Sequence, residues 1–153
     1  MGIKRVIKLL VVEDNAAYLY LIKKAFQDRK GDARWELTVA KDGEEAVRTL
    51  FEEEDENIPL PDLILLDWNL PGISGSEVLR RIKQHRKLRR LPVLIFSTSE
   101  SDDDIHSAYD DHANGFITKP GTTDELLAVV ESIERFWIAV ANLPKVSRQA
   151  DRR

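Results

Sequence analysis

The chain has 153 residues and no cysteine. That absence excludes a disulfide framework, a thiolate nucleophile and any Cys-based metal site. Histidine is scarce, with 3 in all. His85, His106 and His112 stand too far apart for an obvious His-ligated metal site. Glycine (7) and proline (6) are few, and no low-complexity block or internal repeat divides the chain. No apolar run approaches membrane-spanning length, and no signal-peptide pattern opens the sequence. A net charge of −4 offers no generally basic face to nucleic acid. These absences lead to the expectation of a cytoplasmic protein without membrane or nucleic-acid partners.

What is present is an ordinary globular composition, 42% hydrophobic and 33% charged. The length suits one domain with a sizeable core. Strand-like runs recur at Val6–Val12, Trp35–Ala40, Leu63–Leu66, Pro92–Phe96 and Gly115–Thr118. Amphipathic segments alternate with them. Segment Ala16–Asp28 carries Leu19, Ile22, Ala25 and Phe26 on one face. Segment Glu44–Glu53 carries Ala46, Val47, Leu50 and Phe51. Segment Gly75–His85 carries Val78, Leu79 and Ile82. Segment Asp102–Asp111 carries only Ile105, Ala108 and Tyr109, which predicts the least stable helix. The last helix is predicted from Thr122, with Glu125 in capping-box position, to about Leu143, before Pro144. Five β-α units in succession argue for an α/β fold, a parallel sheet with right-handed crossovers and helices on both faces. The domain is expected to span 1–144. The tail 145–153 lacks apolar periodicity and is expected to be disordered.

Three of the strand-like runs end in charged groups. LLVVEDN ends in Glu13, Asp14 and Asn15, PDLILLDWNLPGISG carries Asp67 at the tip of its apolar run, and GFITKPG ends in Lys119. The C-terminal tips of parallel strands are where open α/β sheets build their sites. A lone Asp after a strand is usually a helix cap or turn residue. An acidic pair or a Lys-Pro pair is equally unspecific alone. Their combination at successive strand ends is specific. Three close carboxylates need a counter-ion or raised pKa values. Hard oxygen ligands of this kind suit Mg²⁺. One carboxylate can then act as nucleophile toward a phosphoryl group, with Lys119 neutralising the transferred charge and Ser97 or Thr98 bonding a phosphoryl oxygen.

VVEDN, LLDWNLPGISG, PVLIFSTS and GFITKPG together resemble the receiver domain of two-component response regulators, over about residues 6 to 140. The resemblance implies a flavodoxin-like receiver fold, a doubly wound five-stranded parallel sheet in the order 2-1-3-4-5 with five helices. It matches Asp67 to the phospho-acceptor. It matches Glu13 and Asp14 to the Mg²⁺-binding acidic pair, with Asn69 adding its backbone carbonyl. Ser97 takes the place of the switch hydroxyl, where Thr is commoner. Lys119 matches the phosphoryl-contacting lysine. Phe116 matches the switch aromatic, where Tyr is frequent. The implied partner is a histidine kinase, and the implied role is a phosphorylation-dependent switch rather than an enzyme, with slow self-dephosphorylation at most.

Only nine residues follow Pro144, so no helix-turn-helix module is expected and the signal must leave through the receiver surface. In the last helix, Leu126, Val130, Ile133, Trp137 and Val140 share one face at about 100° per residue. Phe136 and Val129 flank it on one side, Leu127 and Ile138 on the other. The apolar arc of roughly 200° exceeds what a sheet-covering helix needs. Either both flanks pack on neighbouring helices, or Leu127, Phe136, Trp137 and Ile138 contribute to a self-association surface. The segment FWIAVANLP resembles the C-terminus of single-domain receivers served by phytochrome-type histidine kinases, which implies a homodimer and a light-sensing kinase partner.

The basic run Lys83–Arg90 and the acidic run Glu52–Glu56 read as solvated surface. Trp68 follows the acceptor, but neighbouring strand residues point to opposite faces, so its side chain need not enter the site, and it is expected to be a close fluorescent reporter. Two other functions are compatible with the pattern. An Asp-nucleophile phosphatase would carry a titratable acid two residues after its nucleophile, where this chain has Asn69. A phosphorylation-independent interaction module would use the same fold without needing the charged cluster.

Overall fold

The structure, a computed structural model, describes residues 5–149. Five parallel strands form one sheet: β1 (Val6–Val12), β2 (Arg34–Ala40), β3 (Leu63–Asp67), β4 (Val93–Ser97) and β5 (Gly115–Thr118). Their order is β2-β1-β3-β4-β5, as the family resemblance implies. Helices α1 (Ala16–Asp28), α2 (Gly43–Phe51), α3 (Gly75–Gln84), α4 (Asp102–Asp110) and α5 (Thr123–Glu134) alternate with the strands. The central strands β3 and β4 are buried at every position. Their continuous apolar character follows, because helices cover both faces.

Each helix starts in the same way. Asn15, Asp42, Ser74, Ser101 and Thr122 sit at the N-caps, and each side-chain oxygen accepts the backbone N–H three residues on. These caps satisfy donors that the first turn leaves free. They also fix where each helix leaves its strand, and so which side chains stand over the sheet's C-terminal edge.

The pleat divides the core into two layers. Leu9, Val11, Leu63, Leu65, Leu94 and Phe96 pack with α1 and α5 residues such as Ile22, Phe26, Leu126 and Val130. Leu10, Val12, Ile64, Leu66, Val93 and Ile95 pack with α2 and α3 residues such as Leu50, Val78 and Ile82. Helix α4 contributes one buried residue, Ala108. At the far end of the first layer, Glu134 is buried and accepts Arg29 Nε at 2.8 Å and Trp35 Nε1 at 2.8 Å. That group ties the ends of α1 and α5 to β2.

The C-terminal segment departs from expectation in two ways. The last helix does not run as an α-helix to Leu143. After Glu134 it widens into a π-helical segment, Arg135–Val140, and ends at Ala141. A 3.6-residue stripe cannot continue through i→i+5 bonding. Val140, expected on the buried face, is therefore 70% exposed, while Trp137 is only partly buried. The tail is expected to be disordered over 145–153; positions 150–153 lie outside the described residues, and over 145–149 the chain lies back on the body. Arg148 donates to the carbonyls of Thr49, Leu50 and Ile58 at 2.6, 3.2 and 2.8 Å. Two of those carbonyls belong to the last turn of α2, which lacks intrahelical partners for them. Val146 packs against the second layer.

The turn after β3 is built for close approach. A Cβ on Gly75 would lie 2.2 Å from the Asp67 carbonyl oxygen and 2.7 Å from Trp68 Cα. Gly75→Ala is thus expected to destabilise the fold by about 1–3 kcal/mol through forced backbone displacement. A Cβ on Gly121 meets nothing within 4 Å. Urea denaturation of Gly75→Ala against Gly121→Ala measures the difference. Equal midpoints would contradict this packing.

Candidate functional site

The parallel register sets the site. Val12 pairs with Leu66, so Glu13 and Asp67 stand side by side, each one step beyond that pair. Asp67 pairs with Phe96, and Ser97 with Thr118, immediately before Lys119. Sequence alternation then puts Glu13, Asp67 and Lys119 on the α1/α5 side of the sheet edge. One ligand oxygen from each of Glu13, Asp14 and Asp67 lies within 4.8 Å of the others. Asp14 is exposed, and Glu13 and Asp67 are buried.

Lys119 offsets part of this charge. Its Nζ donates to Glu13 Oε1 and Oε2 at 2.7 and 3.1 Å, and to Asp67 Oδ2 at 3.2 Å. Its side chain is only 9% exposed, so the contact is shielded from solvent. Lys119 N–H also donates to the Ser97 carbonyl at 2.7 Å, which locks the β5 tip to β4. The Asn69 N–H donates to Asp67 Oδ1 at 3.1 Å and orients the carboxylate. One ammonium faces two buried carboxyl groups, which cannot both ionise without excess negative charge. Burial, with the neighbouring Asp67, pushes the Glu13 carboxyl from its ordinary value up to about 8, against the opposing pull of Lys119.

Ser97 is fully buried, and its Oγ accepts the Ser99 N–H at 3.1 Å. Its parity puts it on the opposite face from Asp67, with Trp68 and Phe116. Thr98 is exposed. Trp68 is buried, and its ring meets Phe116 edge-on with centroids 6.4 Å apart. The Phe116 N–H donates to the Tyr109 hydroxyl at 3.2 Å. The residue after the carboxylate cluster therefore touches the aromatic on the outer strand, across the core layer under α3 and α4.

Beyond Asp67 the loop turns at Gly72, whose φ is +69°, a region that favours glycine. Glu44 accepts the Ile73 N–H at 3.0 Å and braces this loop from α2.

The residues singled out in the last helix do not share one surface. Phe136 and Trp137 line a groove of about 450 Å³ with Tyr109, Ile117 and Val129. Ile138 lines a separate cleft beside Arg5, Lys30 and Arg135. Leu127 is half-buried and lines neither.

Sequence reading missed Tyr18. The Lys119 ammonium sits 4.7 Å from the centroid of its ring. The available signal was positional: a large aromatic one turn into the helix that starts directly after Asp14.

Comparison with known proteins agrees with this geometry. Residues 9–131 match the response regulator receiver domain family. Response regulator Rcp1 of Synechocystis is 39% identical over 137 residues, 89% of this chain and 92% of Rcp1. A structure of the Mn²⁺-bound form of Rcp1 superposes with a TM-score of 0.80, covering 90% of this chain and 99% of that one. The phosphorylated cyanobacterial phytochrome response regulator RcpA is 42% identical with a TM-score of 0.82, covering 91% of this chain and 99% of RcpA. A probable methanogenesis regulatory protein of Methanothrix harundinacea, FilR2, is 39% identical over 130 residues, 85% of this chain and 83% of FilR2.

The Glu13 shift has a stability consequence with a definite sign. A carboxyl at about 8 in the folded chain, against 4.5 when unfolded, stabilises the fold fully only below 4.5. That contribution is lost as pH rises through 8. Metal-free wild type is expected to lose stability over this window, and Glu13→Gln to lose less. Urea midpoints across the window measure the difference, and parallel pH profiles for the two proteins would contradict it.

Proposed function

This chain belongs to the response regulator receiver domain family, and we propose that it is a signalling switch phosphorylated on Asp67. The observation that carries the proposal is the Lys119 ammonium held against Asp67 and Glu13 at the edge of the sheet. An Asp67 carboxylate oxygen would attack the phosphorus of a phosphohistidine. The new P–O bond forms as the P–N bond breaks, and the imidazole leaves with its electron pair and is protonated by solvent. Lys119 shifts its donors toward the incoming phosphoryl oxygens, limiting charge build-up as the group transfers. Asn69 N–H keeps the unreacting oxygen of Asp67 in place.

The donor set fits a small hard divalent cation. It consists of carboxylates, one of them solvent-facing, with an ammonium opposite and no nitrogen or sulfur ligand. Glu13, Asp14, Asp67 and the Asn69 backbone carbonyl would hold Mg²⁺. Bound there, the ion would offset the excess negative charge of the carboxylates and of a phosphoryl group.

The signal would pass to the opposite core layer. The Ser97 hydroxyl, turned from Ser99 toward the phosphoryl group, would leave space for Phe116 to move inward against Trp68. Only the phosphoryl group's differential interaction with the two arrangements can drive that shift. Hydrolysis of the mark is expected to be slow, because Asn69 cannot serve as a general base beside Asp67. The resemblance to RcpA, a phytochrome response regulator, supports a phytochrome-type histidine kinase as donor, and a cytoplasmic location fits that role. The groove bearing Phe136 and Trp137 supports a homodimer.

Incubation with acetyl phosphate and Mg²⁺ is expected to add one phosphoryl group, seen by intact-protein mass. Asp67→Asn is expected to take none, and equal labelling of that variant would remove Asp67 as acceptor. Light scattering is expected to show a dimer that Phe136→Asp dissociates. A wild-type monomer at high concentration, with and without beryllofluoride, would contradict the dimer.

A further inference from the structure

The Lys119 ammonium lies 4.7 Å from the centroid of the Tyr18 ring, a contact apart from the carboxylate cluster. We infer that Tyr18 is a positioning residue for phosphoryl transfer, its ring face holding the Lys119 ammonium while that group exchanges carboxylate partners for phosphoryl oxygens. The inference rests on Asp67 being the phosphoryl acceptor.

Several observations converge on this ring. The Asn15 side chain caps α1 by accepting the Tyr18 N–H at 2.8 Å, so the residue's place follows directly from the start of the helix. The phenolic hydroxyl donates to the Pro120 carbonyl at 3.3 Å, one residue beyond Lys119. The ring also rests against Phe96, the register partner of Asp67, with centroids 5.9 Å apart. Tyr18 is thereby fixed at its backbone, its ring and its tip. Burial, with the Glu13 carboxylate nearby, pushes its hydroxyl up to about 12. It stays neutral, and its ring remains a weak electrostatic partner for a cation.

The type of partner matters chemically. The Lys119 ammonium hydrogen-bonds Glu13 and Asp67 in the resting site. When a phosphoryl group arrives, those hydrogen bonds must be remade. A carboxylate in place of Tyr18 would compete for the same protons. A π face attracts the ammonium without directing its N–H bonds, so the attraction persists through the exchange. The ring also closes the flank of the ammonium that faces α1.

The test compares Tyr18→Phe with Tyr18→Leu. Phe keeps the π face and loses the bond to Pro120; Leu keeps apolar bulk and loses the π face. Initial phosphorylation by acetyl phosphate is expected to slow about three- to tenfold in Tyr18→Leu and to stay within about twofold of wild type in Tyr18→Phe. The Mg²⁺ concentration for half-maximal rate is expected to be unchanged in both, since the carboxylates are intact. Circular dichroism melts check folding, and Tyr18→Met serves in the same comparison should Tyr18→Leu fail to fold. Tyr18→Leu at the wild-type rate would overturn the inference. So would Tyr18→Phe as slow as Tyr18→Leu, which would assign the effect to the hydroxyl. A shifted Mg²⁺ dependence would also overturn it, as general damage to the site. Wild type is run alongside: absence of labelling there rejects Asp67 phosphorylation itself, whereas labelled wild type with unaffected variants rejects only the role of Tyr18.

Discussion

The site depends on one electrostatic arrangement, the Lys119 ammonium between the carboxylates of Glu13 and Asp67, nearly out of reach of water. Breaking a buried ion pair by deleting one partner costs about 3–5 kcal/mol, because the remaining charge is left unpaired. Here the ammonium has two buried carboxylates to satisfy, and Asp14 adds a third negative group at the rim. With all three ionised, the site is under-neutralised. A cation would offset that charge, while burial first and the neighbouring Asp67 second raise the Glu13 carboxyl. The parallel register makes the arrangement possible. It carries Glu13, Asp67 and Lys119 to the tips of three different strands and onto the same side of the sheet.

The two faces of the sheet divide the work. Charge is handled on the α1 and α5 side, by Glu13, Asp67, Lys119 and the ring of Tyr18. The opposite layer holds Ser97, Trp68 and Phe116, which contain no formal charge. Asp67 adjoins that layer through the backbone, because Trp68 is its direct chain neighbour and Phe116 touches Trp68. The thin packing of α4, with Ala108 alone buried, puts the least anchored helix beside this aromatic pair. Core layers repack between discrete arrangements rather than deform continuously, which suits a two-state switch.

Much of this was legible in the sequence, for identifiable reasons. Buried parallel strands are uniform apolar runs, and a carboxylate or lysine that ends such a run stands out. Asp67, Glu13, Asp14 and Lys119 stand out in that way, and the family resemblance implies the strand order. The π-helical segment after Glu134 was not legible, because its residues Phe136 to Val140 fit a 3.6-residue stripe equally well. The tail was not legible either. Arg148 is held by backbone carbonyls of α2 and of the following loop, which no side-chain pattern announces. Tyr18 gives no such signal, because a half-buried aromatic on an amphipathic helix looks like packing. Only the strand register shows that the lysine comes to rest on it.

The central claim is that the charge balance at Lys119 makes Asp67 the phosphoryl acceptor. The most direct measurement is to incubate the protein with an autophosphorylated phytochrome-type histidine kinase and Mg²⁺, reduce any acyl phosphate with borohydride, and sequence the peptides by tandem mass spectrometry. Reduction converts a phosphorylated aspartate to homoserine. The account predicts homoserine at position 67 and at no other aspartate. Homoserine at Asp14, or none in a protein that has demonstrably drawn phosphate from the kinase, would contradict it.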